Sequence, residues 1–424
     1  MRLRATTFFV AVLFAVTAIG CGTTAAPLVA EDAAEDAAAD GQSVDVASSD
    51  AAAVDGAGDV AVAADAAALN LPTGFTEECQ YSGPYAVGHV DFEVTDPARK
   101  RALRMTLWYP ADPSAKAAAA TGTPIAEFEP EGPRRKTIAD LAAKAPAACA
   151  QVVTHSARDA QPLAGGLWPL VAYSHCHNCM RYSAFTLAER LASQGFAVIA
   201  PDHTGNTLIE GLAGKSAPLD GVFLATRALD IRFALDVALD PNHPAVPQNL
   251  RGRFDPNKVA MYGHSFGGVT TGKVLQDDPR IKAGLAIAVP MANPLLPGVD
   301  MAKIAQPVAF ILAEEDNSIT AAGNAFIEQN YGDANNAAWL WRVADAGHFS
   351  FSDIAGLSFF SQGCGKDKRM TDDTPFTYLD NHLARCIGAR YLSAFMRLHL
   401  LGDATATAIL NAATPSGVVQ QQHK

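Results

Sequence analysis

The hexapeptide Gly263-His264-Ser265-Phe266-Gly267-Gly268 lies between a short apolar run, Lys258-Val259-Ala260-Met261-Tyr262, and a helix-compatible stretch, Val269 to Gln276. A serine between two glycines at such a junction reads as a nucleophile elbow, where a strand turns sharply at the serine and leaves as a helix. The turn strains the backbone at the serine, and small residues two before and two after it let the chain pass without a clash. The hydroxyl is then exposed above the positive end of a helix. A chain that must build this junction needs a strand-turn-helix frame.

The rest of the sequence supplies that frame. Val90 to Val94 and Ala102 to Tyr109 read as strands joined by a polar turn at Asp96-Pro97. Residues 111 to 165 form an Ala-, Pro- and Lys-rich excursion with no clear strand and one helix, Lys136 to Lys144. Strand and helix patterns then alternate. Leu167 to Tyr173, Phe196 to Ala200, Val259 to Tyr262, Ala283 to Val289, Val308 to Leu312 and Trp339 to Val343 are strands. Tyr182 to Gln194, Ala225 to Leu239 and Ile387 to Leu400 are helices. The expected fold class is α/β, a doubly wound, mostly parallel sheet in one catalytic domain, with ligands at the C-terminal ends of the strands. Trp339 and Trp341, two apart, should share one face of their strand as core residues.

The domain is expected over residues 72–424. Before it, Arg2 and Arg4 precede an apolar run from Thr7 to Ile19 that ends in Ala18-Ile19-Gly20-Cys21. Residues 1–21 read as an export signal, and its ending resembles a bacterial lipobox with Cys21 as the lipidated N-terminus. Residues 22–71 are Ala- and Asp-rich and hold no aromatic residue, so they cannot bury a core and read as a disordered tether. The first 70 residues carry ten acidic side chains and two arginines, which accounts for eight of the twelve net negative charges. The remainder is close to charge-balanced. No basic run with interleaved aromatics occurs, which argues against a nucleic-acid partner. The expected location is the bacterial cell envelope, anchored in a membrane through Cys21, or alternatively the secreted fraction.

Cysteine usage fits export. Beyond Cys21 there are six: Cys79, Cys149, Cys176, Cys179, Cys364 and Cys386. An even number in an oxidising compartment suggests disulfides. The preferred pairs are Cys364 with Cys386, which flank one polar insertion, and Cys79 with Cys149. A pair between Cys176 and Cys179 would be local.

A serine hydroxyl needs a base, and the base needs a carboxylate to fix its tautomer. His348 follows Trp339 to Val343, and Asp316 follows Val308 to Leu312. The order Ser265, Asp316, His348 is that of serine hydrolases built on such sheets. Glu314, Glu315 and Asp345 are neighbouring alternatives for the acid. An oxyanion also needs two backbone N–H donors. Phe266 would supply one, and the loop after Leu167 to Tyr173, Ser174-His175-Cys176-His177-Asn178-Cys179, the other.

Trp108-Tyr109-Pro110, Ser174-His175, Leu191-Ala192-Ser193-Gln194-Gly195-Phe196, Pro201-Asp202-His203 and the elbow together resemble α/β-hydrolases of the dienelactone-hydrolase-like and platelet-activating-factor-acetylhydrolase-like groups, over roughly Tyr85 to Asp403. Cys176 stands where that family usually has glycine, so the second donor falls by position on His177. Acetylhydrolases of that type carry their acid after the strand that follows the elbow helix. The matching region, Ala286-Ile287-Ala288-Val289, has no carboxylate. The acid therefore moves to Asp316, and residues 308–350 resemble the acid and histidine loops of cutinase-like polyester hydrolases.

The resemblance and the residues together imply a serine hydrolase of carboxylic esters, monomeric, acting on a small or lipid-like ester and requiring no cofactor or metal. A catalytically inactive surface-binding lipoprotein, or a hydrolase of polyester, thioester or amide bonds, is the alternative. Cys176 and Cys179, with His175, could also form a metal site or a redox pair. A disulfide bracing the donor loop is the preferred reading. Residues 204–222, rich in Gly and Leu, read as a lid.

Overall fold

The computed structural model describes residues 82–424, apart from residues 121, 150, 151, 359, 361, 413, 415 and 416. The signal, Cys21, the tether and Cys79 lie outside the described residues.

Ten strands form one sheet: β1 (Ala86–Asp96), β2 (Arg101–Ala111), β3 (Ala157–Arg158), β4 (Trp168–Ser174), β5 (Ala197–Pro201), β6 (Phe254–His264), β7 (Ile281–Ile287), β8 (Val308–Ala313), β9 (Ala338–Val343) and β10 (Val419–His423). Their spatial order is β10-β9-β8-β7-β6-β4-β5-β2-β1-β3. The run from β9 through β4 to β5 is parallel. β2 and β10 join it antiparallel. The principal helices are α1 (Pro133–Ala143), α2 (Phe185–Ser193), α3 (Leu208–Leu212), α4 (Gly221–Leu239), α5 (Phe266–Asp277), α6 (Thr320–Asp333) and α7 (Asn381–Met396).

The central strands are apolar throughout because helices cover both faces. Side chains alternate between two cores. Val171 and Tyr173 of β4, Ala260 and Tyr262 of β6 and Ile311 of β8 meet α2 and α7. Leu170, Ala172, Val259, Met261, Phe310 and Leu312 meet α4 and α5. Trp339 and Trp341 share the first core as expected. Trp341 stacks on Tyr391 at 4.5 Å, and Trp339 meets Phe395 edge-on.

After β5 the chain crosses to the opposite side of β4 to begin β6, so the strand order reverses between β4 and β6. The helices that follow these two strands leave on opposite faces and open a crevice at their C-terminal ends. Ser174 ends β4 and Ser265 follows β6.

Three expectations need correction. The excursion does contribute a strand, because the two residues of β3 pair with Gly88 and His89, a length that no periodicity can reveal. β10 completes the opposite edge through a run of glutamines, where an edge strand with one solvated side needs no apolar pattern. The disulfides differ as well. Cys149 pairs with Cys364, at a Cα separation of 5.3 Å, so neither Cys364–Cys386 nor Cys79–Cys149 forms. The excursion folds back onto the segment after His348, where a Cβ on Gly356 would lie 2.4 Å from that of Cys149. Cys386 is also disulfide-bonded.

The Cys149–Cys364 bridge closes a separation of 215 residues, and long loops gain most from closure. Replacing both cysteines by serine should lower stability by about 2–4 kcal/mol in urea unfolding under non-reducing conditions. An unchanged midpoint would show that the bridge is absent or idle.

Candidate active site

Ser265 has φ 53° and ψ −127°, a conformation that non-glycine residues rarely adopt and that costs about 1–3 kcal/mol. The surroundings enforce it. Ser265 N–H donates to the Ile287 carbonyl of β7 at 2.9 Å, and its own carbonyl accepts from Gly268 N–H at 2.7 Å. The flanking glycines are required by contact. A Cβ at Gly263 would lie 2.1 Å from the Gly267 carbonyl oxygen, and one at Gly267 would lie 1.9 Å from that of Ser174. The elbow is thus pressed against the end of β4.

Asp316, fully buried, accepts a hydrogen bond from His348 Nδ1 at 2.7 Å through Oδ2. Its other oxygen accepts from the N–H groups of Ser318 and Ile319. With Nδ1 donating, Nε2 of a neutral His348 is left as the basic nitrogen. His264, the residue before Ser265, ties the elbow to this pair. Its Nε2 donates to the His348 carbonyl at 2.7 Å, and the two rings lie 5.0 Å apart. Burial, with His348 adding to it, pushes His264 down to about 3 and keeps it neutral.

The competing carboxylates have other work. Glu315 accepts from Arg369 at 2.8 Å and from Met370 N–H, and Asp345 accepts from the same guanidinium at 2.7 Å. Arg369 follows one strand of a hairpin, Lys366–Lys368 with Pro375–Thr377. This hairpin sits two residues beyond Cys364. Among the carboxylates considered for the acid, Asp316 is the one hydrogen-bonded to His348.

Cys176 and Cys179 form a disulfide across the loop after β4, with Cα atoms 5.1 Å apart. His175 Nδ1 donates to the Cys176 carbonyl at 2.7 Å, and Nε2 accepts from His203 N–H at 3.0 Å. Both thiols and both His175 nitrogens are therefore engaged in holding the loop. Among the described residues, neither the N–H of Phe266 nor that of His177 has an acceptor in the protein. Their rings are neighbours, 6.3 Å apart. Residues 204–220 pack on this loop: Leu208 N–H donates to Cys179, and the Ser216 hydroxyl donates to Asn178. The segment expected as a lid thus supports the donor loop.

Sequence reasoning missed the polar cluster behind the loop. Arg227 of α4, fully buried, donates to Asn206 Oδ1 at 2.6 Å, to Thr270 and Ser174 hydroxyls at 3.1 Å, and to the His175 carbonyl. Its guanidinium also lies 4.5 Å from the Phe266 ring. Burial pushes it down to about 9 against the pull of Asp230, so it stays charged at neutral pH. Asp230 accepts from His203 Nδ1 at 3.0 Å, and His203 Nε2 accepts from Ser174 Oγ at 3.0 Å. Ser174, His203 and Asp230 thus mimic a catalytic array, yet all three side chains are buried, and they anchor the loop. The available signal was a charged pair one turn apart, Arg227 and Asp230, set among the apolar residues Leu224, Ala228, Ile231 and Ala234.

Two family models match parts of the chain. Residues 74–215 match platelet-activating factor acetylhydrolase, isoform II, and residues 172–321 match serine aminopeptidase, S33. The platelet-activating factor acetylhydrolase of Cavia porcellus is 29% identical over 181 residues, which cover 35% of this chain and 41% of that protein. A cutinase of Thermobifida alba is 31% identical over 126 residues, 30% of this chain and 36% of the relative. The chain thus spans about two fifths of the length of the curated relatives it matches. The solved ferulic acid esterase of Streptomyces cinnamoneus superposes with a TM-score of 0.57 at 21% identity, covering 80% of this chain and 96% of that one, a likeness of fold. Strand order and elbow agree with these likenesses: the chain has the α/β-hydrolase fold and is similar over part of its length to acetylhydrolases and cutinases.

Proposed function

We propose that this protein hydrolyses carboxylic esters through an acyl-enzyme on Ser265. The observation that carries the reading is the 2.7 Å hydrogen bond between His348 and buried Asp316, with His348 held by His264, the residue beside a strained serine. His348 Nε2 takes the hydroxyl proton as Ser265 attacks the ester carbonyl, then delivers it to the leaving alcohol. Asp316 orients the imidazole and stabilises the imidazolium. The N–H groups of Phe266 and His177 receive the oxyanion. Water, activated by the same histidine, releases the acid. The disulfide holds the donor loop rigid before charge develops, which is where such donors gain their effect. Acetylhydrolase and cutinase relatives support an ester substrate.

The proposal extends to location. The Ala18–Cys21 ending supports lipid anchoring at Cys21, and the Cys149–Cys364 and Cys176–Cys179 bridges support an oxidising compartment.

A panel of nitrophenyl esters of increasing acyl length tests the chemistry. Ser265→Ala should abolish turnover, Asp316→Asn should lower kcat by roughly 10⁴-fold, and Glu315→Gln should retain most activity. Turnover by the Ser265→Ala protein, or equal losses in the two acid variants, would contradict the assignment. Location is tested by fractionating cells that express the full chain. Cys21→Ala should move the protein out of the membrane fraction, and the same distribution in both would exclude the anchor.

A further inference from the structure

The chain Arg227–Asn206–His177 has a direction that bears on the oxyanion. Arg227 can only donate, and its Nη1 lies 2.6 Å from Asn206 Oδ1. That contact fixes the amide, so Asn206 Nδ2 faces His177 Nδ1, 2.7 Å away. An amide nitrogen is a donor, so Nδ1 of His177 must accept. The proton of the neutral ring is thereby assigned to Nε2. Burial, with the charge of Arg227 adding to it, holds His177 down to about 4, so the ring is neutral around pH 7. Among the described residues, Nε2 has no protein partner, and the side chain is half-exposed beside the Phe266 ring.

Resting on the ester-hydrolase reading above, we propose that His177 serves the reaction with its side chain as well as its main chain. Its Nε2–H is a third donor to the oxygen on which negative charge develops. Arg227 and Asn206 are positioning residues that select the donating tautomer. A bare Nε2 in the same place would turn a lone pair toward that charge, so the wrong tautomer would work against the reaction rather than merely leave it unaided. The arrangement also explains why a guanidinium is buried under this loop. It braces the backbone at His175 and, through one amide, sets the polarity of the next side chain but one.

Kinetics and imidazole NMR test the proposal together. His177→Phe keeps the main-chain donor and should lower kcat on nitrophenyl acetate about 10- to 100-fold with KM little changed, the effect of losing a hydrogen bond to a charged group. His177→Gln, whose amide can donate from the same region, should recover at least tenfold of a hundredfold loss. In ¹⁵N-histidine-labelled protein at pH 7, the resonances removed by His177→Gln should be those of a protonated Nε2 and a bare Nδ1. Asn206→Asp, which accepts from Nδ1–H, should reverse that pattern and depress kcat. Unchanged kcat in His177→Phe, or a protonated Nδ1 in the parent, overturns this inference and leaves Ser265 chemistry standing. An inactive parent overturns the esterase reading and this one with it.

Discussion

A single methyl group added to Gly267 would sit 1.9 Å from the carbonyl oxygen of Ser174. That close approach joins the two loops on which the proposed chemistry depends, because Gly267 follows Ser265 by two residues and Ser174 opens the loop that carries His177. It exists because β4 and β6 are neighbours at the place where the strand order reverses. No side chain can intervene, so the first turn of α5 lies against the main chain of His175. The strain at Ser265, on the order of 1–3 kcal/mol, is sustained by this packing and by the hydrogen bond to Ile287.

Two polar clusters, one buried and one partly exposed, hold the loops that converge on the serine. Behind the donor loop, Arg227, Asp230, His203 and Asn206 satisfy one another, the Ser174 hydroxyl and the His175 carbonyl. Behind the acid and base loops, Arg369 joins Glu315 to Asp345, which flank Asp316 and His348 in sequence. Neither kind of ion pair contributes much net stability, since desolvation offsets the attraction where the charges are buried and solvent screens it where they are exposed. Their effect here is positional. Each holds its loop in place, and Cys149–Cys364 ties the segment before the Arg369 hairpin to the excursion.

The strand-end positions of Ser265, Asp316 and His348 were legible in the sequence, because strand ends are marked by local apolar runs. Asp316 could be separated from Glu315 only in three dimensions, where Arg369 claims Glu315. Arg227 and Asn206 were not legible, since their roles depend on α4 and the segment after β5 meeting beneath a distant loop. The disulfide partners of Cys149 and Cys364 were misassigned for the same reason, as chain proximity says little about how an excursion folds back. Residues 204–222 carried a lid-like composition, and the docking of Leu208 and Ser216 on Cys179 and Asn178 is a tertiary fact. β10, made largely of glutamines, gave no apolar pattern to read.

The most direct test of the account is covalent labelling with a fluorophosphonate, followed by peptide mapping. Such a reagent reacts with a serine only where a base and an oxyanion site act on it together. The account predicts one adduct, on Ser265, formed rapidly by the parent and roughly 10⁴-fold more slowly by Asp316→Asn, the scale of losing the correct histidine tautomer. An adduct on another serine, or none under conditions where the protein is folded, would contradict it.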